Sequence, residues 1–489
     1  MNPKTLKADY VLLHWMTDLN YEKLGFMCGL EIHRQLETRK LFCKCPSIVH
    51  DEGEPDFVVK RRLKASAGES GEIDTAALFE EKKGKEYIYE GKKTSSCLIE
   101  LDEEPPIGPD HEALMAALEI SLLLNAKPVD EVTFMRKIVI DGSNVSGFQR
   151  TALIATNGHI DTSLGKVPIP TICLEEEAAQ KVEGEKDFVR YRIDRLGVAL
   201  IEIATDASIK NPEHAKETAE LIGKTIKSTG KVKSGIGTIR QDVNVSIRDR
   251  SRVEVKGFQE LKSIPLVVET EVKRQMSHQT KAEVRKANPD GSTTFLRPMP
   301  GSARMYPETD IKPVRITKEM LDSIVLPELL DEKSLRFQKE YNLSEDLAKQ
   351  VVNINPFLFE ELASSLKNVD GNLIAAALVT YPKEIRRKYN LTSDNLNEEN
   401  FRIVLTKVNK NEIPKEAVLE ILTSYALGKE PDFSKYKVMG DSEIEKEIKT
   451  LIDKNPGVNI NALMGDAMKT LRGKADGKKV MEILKKYVK

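Results

Sequence analysis

The first 275 residues alternate short runs of β-branched residues with turns that contain glycine. The runs at 137–140, 242–247 and 252–255 have the length and composition of strands. Between the runs, residues 112–124 and 213–228 carry apolar positions at helical spacing. These patterns predict an α+β region built on an antiparallel sheet.

From about residue 316 the apolar pattern becomes helical. An apolar stripe over 418–425 follows Pro414, which suits the start of a helix, and precedes Gly428, which can end one. The tail has its own apolar face over 463–471. We therefore expect an all-helical domain followed by a small helical tail.

Shifts in composition divide the chain into four parts. Pro, Gly and Ser are frequent between 276 and 315, and residues 428–440 have the composition of a linker. We predict an α+β domain over 1–275, a short connector over 276–315 that returns to it, a helical domain over 316–430 and a helical tail over 431–489.

Composition limits the class of protein. The 489 residues are 40% hydrophobic, and no stretch approaches the roughly 20 apolar residues that a membrane span needs. The N-terminus has no clear apolar core of a secretory signal, and five mostly scattered cysteines suit a reducing compartment. We predict a soluble protein of the cytoplasm.

The charge balance excludes a uniformly basic protein but allows a local basic surface. The formal net charge is −2, from 75 Lys and Arg against 77 Asp and Glu, which excludes a uniformly basic nucleic-acid-binding protein. Residues 451–489, however, hold nine Lys or Arg and four Asp or Glu. Such a run is usually a solvated helix face, and phosphate binding is the alternative. The candidate phosphate-binding residues are Lys469, Arg472, Lys474, Lys478 and Lys479.

The acidic residues indicate a cation site. Glu31 and His33 are two positions apart on a predicted strand, so they point to one face. Three adjacent glutamates occupy 175–177, and carboxylates this close repel one another unless they are solvated or share a cation. Glu202 and Asp242 lie on two further predicted strands. This donor set favours Mg²⁺, while an acidic surface patch is the alternative.

Two other motifs are incomplete. Residues 142–147 have the glycine spacing of a phosphate-binding loop, but Phe148 and Gln149 stand where Lys and Ser or Thr should be. Cys43 and Cys45 form half of a zinc motif, and no second close pair of cysteines follows. We therefore expect neither a Walker loop nor zinc.

Several motifs, in order along the chain, resemble the GatB/GatE family, the tRNA-binding, kinase-like subunits of tRNA-dependent amidotransferases. Residues 29–36 are Gly-Leu-Glu-Ile-His-Arg-Gln-Leu, and residues 40–46 are Lys-Leu-Phe-Cys-Lys-Cys-Pro. Further matches stand at 135–137, 141–151, 174–177, 194–197, 240–246, 305–310 and, in the tail, 463–465 and 471–477. The resemblance covers nearly the whole chain, and residues 141–151 have the form of the archaeal GatE type.

The resemblance implies an α+β catalytic cradle, a helical domain and a YqeY-like tRNA-binding tail. It also implies the ATP-dependent conversion of glutamyl-tRNA(Gln) to glutaminyl-tRNA(Gln), in which the γ-carboxylate of the attached glutamate is phosphorylated and ammonia then displaces phosphate. Mg²⁺ commonly assists such phosphoryl transfer. The residues expected to act are Glu31, His33 and Glu176 as ligands of the ion, Glu175, Glu202 and Asp242 as its support, and Arg150, Arg195, Arg240 and Lys256 toward phosphate oxygens.

The chain has no recognisable ammonia-releasing signature of its own. The resemblance therefore implies an asparaginase-like partner, GatD, in a heterotetramer of two GatD and two GatE chains. GatE proteins usually contain an inserted domain that resembles part of aspartyl-tRNA synthetase, and only residues 276–315 occupy its place here, so that domain is naturally absent or was removed. The alternatives are a bacterial-type GatB protein that acts on glutamyl-tRNA(Gln) and aspartyl-tRNA(Asn), and a non-catalytic tRNA-binding or assembly protein.

Overall fold

The computed structural model describes residues 19–50, 53–67, 71–235, 237–258, 260–301, 304–391, 395–436, 440–471, 475 and 477–487. The chain separates into two compact units that divide between Pro327 and Glu328. Strands dominate the first unit, and helices form the second. The predicted α+β class is confirmed. Among the described residues, no helix combines the length and the apolar character needed to cross a membrane.

The strands of the first unit are numbered here in chain order. They are β1 Met27–Lys40, β2 Phe57–Arg61, β3 Glu86–Gly91, β4 Lys127–Pro128, β5 Glu131–Val132, β6 Phe134–Ile138, β7 Phe148–Thr162, β8 Gly165–Glu176, β9 Gln180–Gly184, β10 Phe188–Arg192, β11 Val198–Ala204, β12 Ile239–Ser246, β13 Val253–Phe258, β14 Glu283–Ala287, β15 Thr293–Pro298, β16 Met305–Pro307 and β17 Val314–Arg315.

The helices of the first unit are Thr75–Glu81, His111–Leu123, Pro212–Lys227, Ile264–Ser277 and Lys318–Asp322, with a 3₁₀ turn at Leu261–Ser263. Their starts follow local chemistry. The Asp110 side chain accepts a hydrogen bond from the backbone N–H of Ala113, and Asn211 caps the next helix in the same way just before Pro212.

The main sheet runs in the order β15-β14-β13-β12-β1-β11-β8-β7-β6-β16, with β4 beside β7. Neighbouring strands are antiparallel except β13 and β14, which are parallel. A second sheet has the order β2-β3-β10-β9, and β5 pairs with β17. The sequence prediction of an antiparallel sheet therefore describes most of this unit correctly.

Side-chain alternation gives the main sheet two different faces. Leu30 and Ile32 of β1 are fully buried in the apolar core, which the helices His111–Leu123 and Pro212–Lys227 share. Glu31 and His33 alternate with them and therefore point to the other face. The core face holds the fold together, and the other face is free to carry polar chemistry.

Residues 276–315, predicted as a connector, contribute regular structure. β14 and β15 extend one edge of the main sheet, and β16 pairs with β6 at the opposite edge. Composition rich in Pro, Gly and Ser indicated only turns, because strand pairing at a sheet edge depends on a distant partner. β14, β15 and β16 of this segment are therefore part of the main sheet.

The second unit is helical. Its helices are Leu330–Glu340, Glu345–Ile354, Pro356–Ser365, Gly371–Ala375, Tyr381–Tyr389, Glu398–Asn409, Val418–Ala426, Asp441–Lys454, Ile460–Leu471 and Gly477–Tyr487. A π-helical turn at Ala376–Thr380 and 3₁₀ turns at Lys415–Ala417 and Phe433–Tyr436 connect some of them. One apolar cluster spans 330–426 and a separate one spans 444–484. Gly428, with φ of +70°, stands just past the end of the helix Val418–Ala426, as the sequence pattern predicts.

Candidate active site

A polar cavity of about 790 Å³ lies on the face of the main sheet opposite the core helices. Side chains of β1, β6, β7, β8, β11, β12 and β13 form its floor, and residues of β15 and β16 contribute to its wall. The floor contains two clusters of carboxylates, each with one lysine. Its volume is in the range that small-molecule sites in enzymes occupy.

The first cluster consists of His33, Glu175 and Glu202. His33 stands opposite Glu202 in the register of β1 and β11, and His33 Nε2 lies 3.0 Å from Glu202 Oε2. The Lys137 ammonium forms ion pairs with Glu175 and, at 3.5 Å, with Glu202. The potential ligand atoms of the three residues lie within 4.8 Å of one another. The cluster can therefore share one cation.

The second cluster consists of Glu31, Asp242 and Glu254. Glu31 stands opposite Asp242 in the register of β1 and β12, and its Oε1 accepts a hydrogen bond of 3.0 Å from Asn244 Nδ2. The Lys256 ammonium pairs with Asp242 at 2.6 Å and also with Glu254. These ligand atoms too lie within 4.8 Å of one another. Three carboxylates against one ammonium leave this cluster with excess negative charge.

The pKa shifts reflect this crowding. Burial raises the pKa of Glu31, and the nearby carboxylates of Glu254 and Glu202 raise it further. Burial lowers the pKa of His33, but the hydrogen bond to Glu202 and the surrounding carboxylates outweigh it, so the net shift is upward. Burial raises the pKa of Glu202, yet Lys137 and His33 together bring it well below its usual range. Positive charge in this cavity is therefore stabilised.

Glu176 does not belong to this site, although the sequence prediction grouped it with Glu31 and His33. It follows Glu175 on β8, so its side chain points to the opposite face of the sheet. There its Oε1 accepts a hydrogen bond of 2.9 Å from the backbone N–H of Arg150. Glu175 takes its place in the cavity, because alternation along a strand puts adjacent residues on different faces.

Arg150, which the sequence assigned to phosphate oxygens, is also on the opposite face, outside the cavity. Arg150 Nε donates to Glu308 Oε2 at 2.7 Å, and Arg136 binds the same carboxylate through two hydrogen bonds of 2.9 and 2.8 Å. The Glu308 side chain is fully buried. Burial raises the pKa of Glu308, but the two arginines lower it to about 2. This is a structural ion-pair network.

The other predicted phosphate ligands are differently placed. Arg195 is engaged by the backbone, since its Nε and Nη2 donate to the carbonyls of Ala178 and Ala179 at 2.8 Å each. Arg240 lines the cavity and pairs with Glu177 at 2.8 Å. Lys256 also lines it, paired as described.

The predicted tRNA-binding residues lie in the second unit. Lys469 is exposed and pairs with Asp466 at 2.8 Å, while Lys478 and Lys479 are exposed at the start of the helix Gly477–Tyr487. Arg472 and Lys474 lie outside the described residues. Their role in binding tRNA stays a prediction.

The cysteines are arranged differently from what sequence spacing suggested. Cys43, Cys45 and Cys97 meet Glu100, with ligand atoms within 4.8 Å of one another. Cys43 Sγ donates to Glu100 Oε1 at 2.9 Å, and the buried Lys40 ammonium lies 3.3 Å from the same oxygen. Burial and the Glu100 carboxylate raise the pKa of Cys97 to about 12. The lack of a second close pair in sequence was therefore no argument against zinc, because the fold supplies two more donors.

Sequence reasoning missed several cavity residues. Glu254 lies two positions before Lys256 on β13, and it had the same signal of an acidic residue on a strand as Asp242. The sequence marked Lys137 only as part of the motif at 135–137 and did not indicate which carboxylates it would pair with. Glu177 was noted within the acidic run, but its pairing with Arg240 depends on the approach of a different strand.

An antiparallel sheet whose open face gathers two carboxylate clusters in a cavity of this size is typical of the catalytic domain of an enzyme. The chain belongs to the GatB/GatE family. The profile of the GatB/GatE catalytic domain matches residues 26–322, and that of the GatB domain matches residues 357–488.

Relatives match over almost the whole chain. It is 38% identical to the GatE protein of Methanocaldococcus jannaschii, the E-type subunit of glutamyl-tRNA(Gln) amidotransferase, over 96% of this chain and 100% of the relative. Proteins of the same name are 36% identical in Methanosarcina acetivorans (97% and 99% covered) and in Thermococcus sibiricus (96% and 99% covered). The first alignment runs over 630 positions, whereas this chain has 489 residues, so at least 141 positions of that relative have no counterpart here.

Proposed function

We propose that this chain is the catalytic, tRNA-binding subunit of a glutamyl-tRNA(Gln) amidotransferase. The observation that supports it best is the pair of carboxylate clusters on the cavity floor, in a chain similar throughout to proteins of that name. The γ-carboxylate oxygen of tRNA-bound glutamate attacks the γ-phosphorus of ATP, and ADP leaves. Ammonia then attacks the acyl carbon, phosphate leaves with its electron pair, and the amide of glutaminyl-tRNA(Gln) forms after loss of a proton.

The cavity residues fit Mg²⁺. Carboxylate oxygens, with one imidazole, make a donor set that this ion accepts, and it keeps waters where protein ligands are few. Glu31, Asp242 and Glu254 would hold one ion, and His33, Glu175 and Glu202 another. When bound, the ion neutralises charge on phosphoryl oxygens.

The chain's own residues prepare the site. Gln149 Nε2 donates to Glu175 Oε2 at 3.1 Å and to the Glu176 carbonyl at 2.8 Å, which fixes the Glu175 carboxylate toward the cavity. The ammonium groups of Lys137 and Lys256 hold neighbouring carboxylates together against their repulsion. A cation entering either cluster therefore meets oxygens that are already oriented.

A non-catalytic binding protein would have little use for this arrangement. Burying several carboxylates on one floor costs free energy unless cations compensate them, and simple tRNA binding requires basic rather than acidic surfaces. We therefore favour catalysis.

Ammonia must come from elsewhere in this proposal. The relatives are named as subunits of an amidotransferase. We propose that an asparaginase-like partner, GatD, supplies ammonia in a cytoplasmic heterotetramer of two GatD and two GatE chains. The tail after about residue 440 would bind tRNA.

A direct test uses the full chain, ATP, Mg²⁺ and labelled glutamyl-tRNA(Gln), with ammonium chloride in place of the partner. We expect glutaminyl-tRNA to form with one ADP per amide, and hydroxylamine to trap the acyl phosphate as the γ-hydroxamate. E31Q should abolish both, whereas E220Q, an exposed change on the helix Pro212–Lys227, should not. Glutamyl-tRNA binding without ADP formation would identify a binding protein instead. Equal amidation of aspartyl-tRNA(Asn) would indicate the bacterial-type specificity.

A further inference from the structure

Three cations on the cavity floor are already neutralised. Lys137, Arg240 and Lys256 each pair with at least one carboxylate of the floor. Two arginines of the wall differ, Arg297 on β15 and Arg304 just before β16. Within the described ranges, neither lies within 4.0 Å of a carboxylate oxygen. Both side chains are half-buried.

Arg304 is held in place without being neutralised. Its Nε donates to the Ile138 carbonyl at 3.1 Å, and this bond uses only one of its five N–H groups. The following residue, Met305, stands opposite Lys137 in the register of β16 and β6. The guanidinium is thus anchored beside the first carboxylate cluster with its terminal nitrogens available.

Arg297 and Arg304 influence each other. Burial lowers the pKa of Arg304, and the positive charge of Arg297 lowers it further, while Glu175 and Glu254 act in the opposite direction. Glu175 belongs to one cluster and Glu254 to the other, so Arg304 is within electrostatic reach of both. Two guanidinium groups that line one cavity and form no ion pair with a described carboxylate would both be stabilised by an anion between them.

We propose that Arg297 and Arg304 form a clamp for the polyphosphate chain of the nucleotide. The inference rests on the proposed function and names the phosphate-binding residues that it requires. Guanidinium groups bind phosphate oxygens through two parallel hydrogen bonds, which fixes direction as well as charge. Phosphoryl groups between the arginine wall and the acidic floor would face cations on both sides, an arrangement suited to phosphoryl transfer.

The clamp also gives residues 276–315 a function. β15 lies at one edge of the sheet and β16 at the other, and residues of both strands line the cavity. Met299 and Pro300, which lie between the two arginines in sequence, line it too. Two of the four cations that the sequence singled out for phosphate, Arg150 and Arg195, are by contrast bonded to protein groups outside the carboxylate clusters.

The test measures binding of the magnesium complex of a non-hydrolysable ATP analogue to the full chain and its variants. R304Q and R297Q should each raise the Kd about 10- to 100-fold, the range expected for loss of hydrogen bonds to a charged group. R304K should recover part of the affinity that R304Q loses, since lysine keeps the positive charge but lacks the two parallel N–H donors of the guanidinium. R248Q is the matched control: Arg248 is exposed and does not line the cavity, and the Kd of this variant should change less than about twofold. Thermal unfolding of each variant verifies the fold.

Two further measurements distinguish failure of the clamp from failure of the proposed function. Inorganic tripolyphosphate replaces the nucleotide, so the clamp can be tested even if the chain proves not to turn over ATP and the proposed function fails. Steady-state amidation separates the KM for ATP from the KM for glutamyl-tRNA. Unchanged Kd values for analogue and tripolyphosphate in both variants would overturn the clamp while leaving the function intact. A rise only in the KM for glutamyl-tRNA would assign the arginines to tRNA phosphates and would likewise overturn it.

Discussion

Glu175 and Glu176 are adjacent in sequence, yet they lie on opposite faces of the main sheet among different neighbours. Glu175 faces the cavity, where Lys137 pairs with it and with Glu202. Glu176 faces the other way and meets Arg150, whose guanidinium also binds the buried Glu308. Both glutamates are almost completely buried.

The difference between the faces is one of charge balance. Behind the sheet, Glu176 and Glu308 are matched by Arg136 and Arg150, as in a structural network. In the cavity, Glu31, Asp242 and Glu254 share one lysine, so negative charge remains uncompensated. Buried carboxylates by themselves therefore do not mark a site. A local excess of them beside an open cavity does.

The largest effect is expected on the balanced face. E308Q removes the buried carboxylate that Arg136 and Arg150 share, and breaking a buried pair from one side costs about 3–5 kcal/mol. The free energy of unfolding in denaturant should fall by that amount. D310N removes an exposed partner of Arg136 and should cost less than about 1 kcal/mol. Equal losses from both would mean that burial does not distinguish these pairs.

A change on the cavity face should act on catalysis instead. E202Q should lower amidation at least ~100-fold, or about 2.7 kcal/mol of transition-state stabilisation, because both His33 and Lys137 lose a charged partner in the proposed ion site. Its unfolding midpoint should also fall, because the depressed pKa of Glu202 means that its charge stabilises the fold, so activity is compared per folded molecule. Loss of fold with full activity per folded molecule would reverse the assignment of the two faces.

Acid should weaken the balanced face in a defined window. The pKa of Glu308 is lowered to about 2 from its ordinary 4.5. A depressed carboxyl pKa contributes stability that is fully present above about pH 4.5 and is lost as pH falls through about 2. The difference in unfolding free energy between the native chain and E308Q should therefore shrink steadily from pH 5 to pH 2. A constant difference across that range would show that the carboxylate charge contributes nothing.

The smallest effect concerns the exposed lysines at the start of the helix Gly477–Tyr487. K478Q combined with K479Q should weaken tRNA binding modestly and reduce the slope of log K against log salt by up to about 2, one per phosphate contact. Hydrolysis of ATP at saturating tRNA should be unchanged. An identical salt slope would place tRNA contacts elsewhere in the chain.

Local patterns in the sequence determined the α+β class, the helical second unit and the pairing of Glu31 with His33 on one face. These follow from periodicity along single elements, which needs no knowledge of distant partners. The ordered motifs also indicated the family to which the chain belongs. The same alternation places Glu175 and Glu176 on opposite faces of the sheet. The sequence could have predicted this only if the bounds of β8 were known.

Only the tertiary structure decided which residues meet. His33 and Glu202 are 169 positions apart, and Asn244 and Glu31 are 213 apart, so strand register across the sheet decides their contacts. The same holds for Cys97 and Glu100 beside Cys43, and for Arg304, whose place in the cavity wall depends on β16 reaching β6. Hydrogen bonds between distant strands select partners that spacing in sequence does not encode, and a site made of several strands exists only once the sheet has formed.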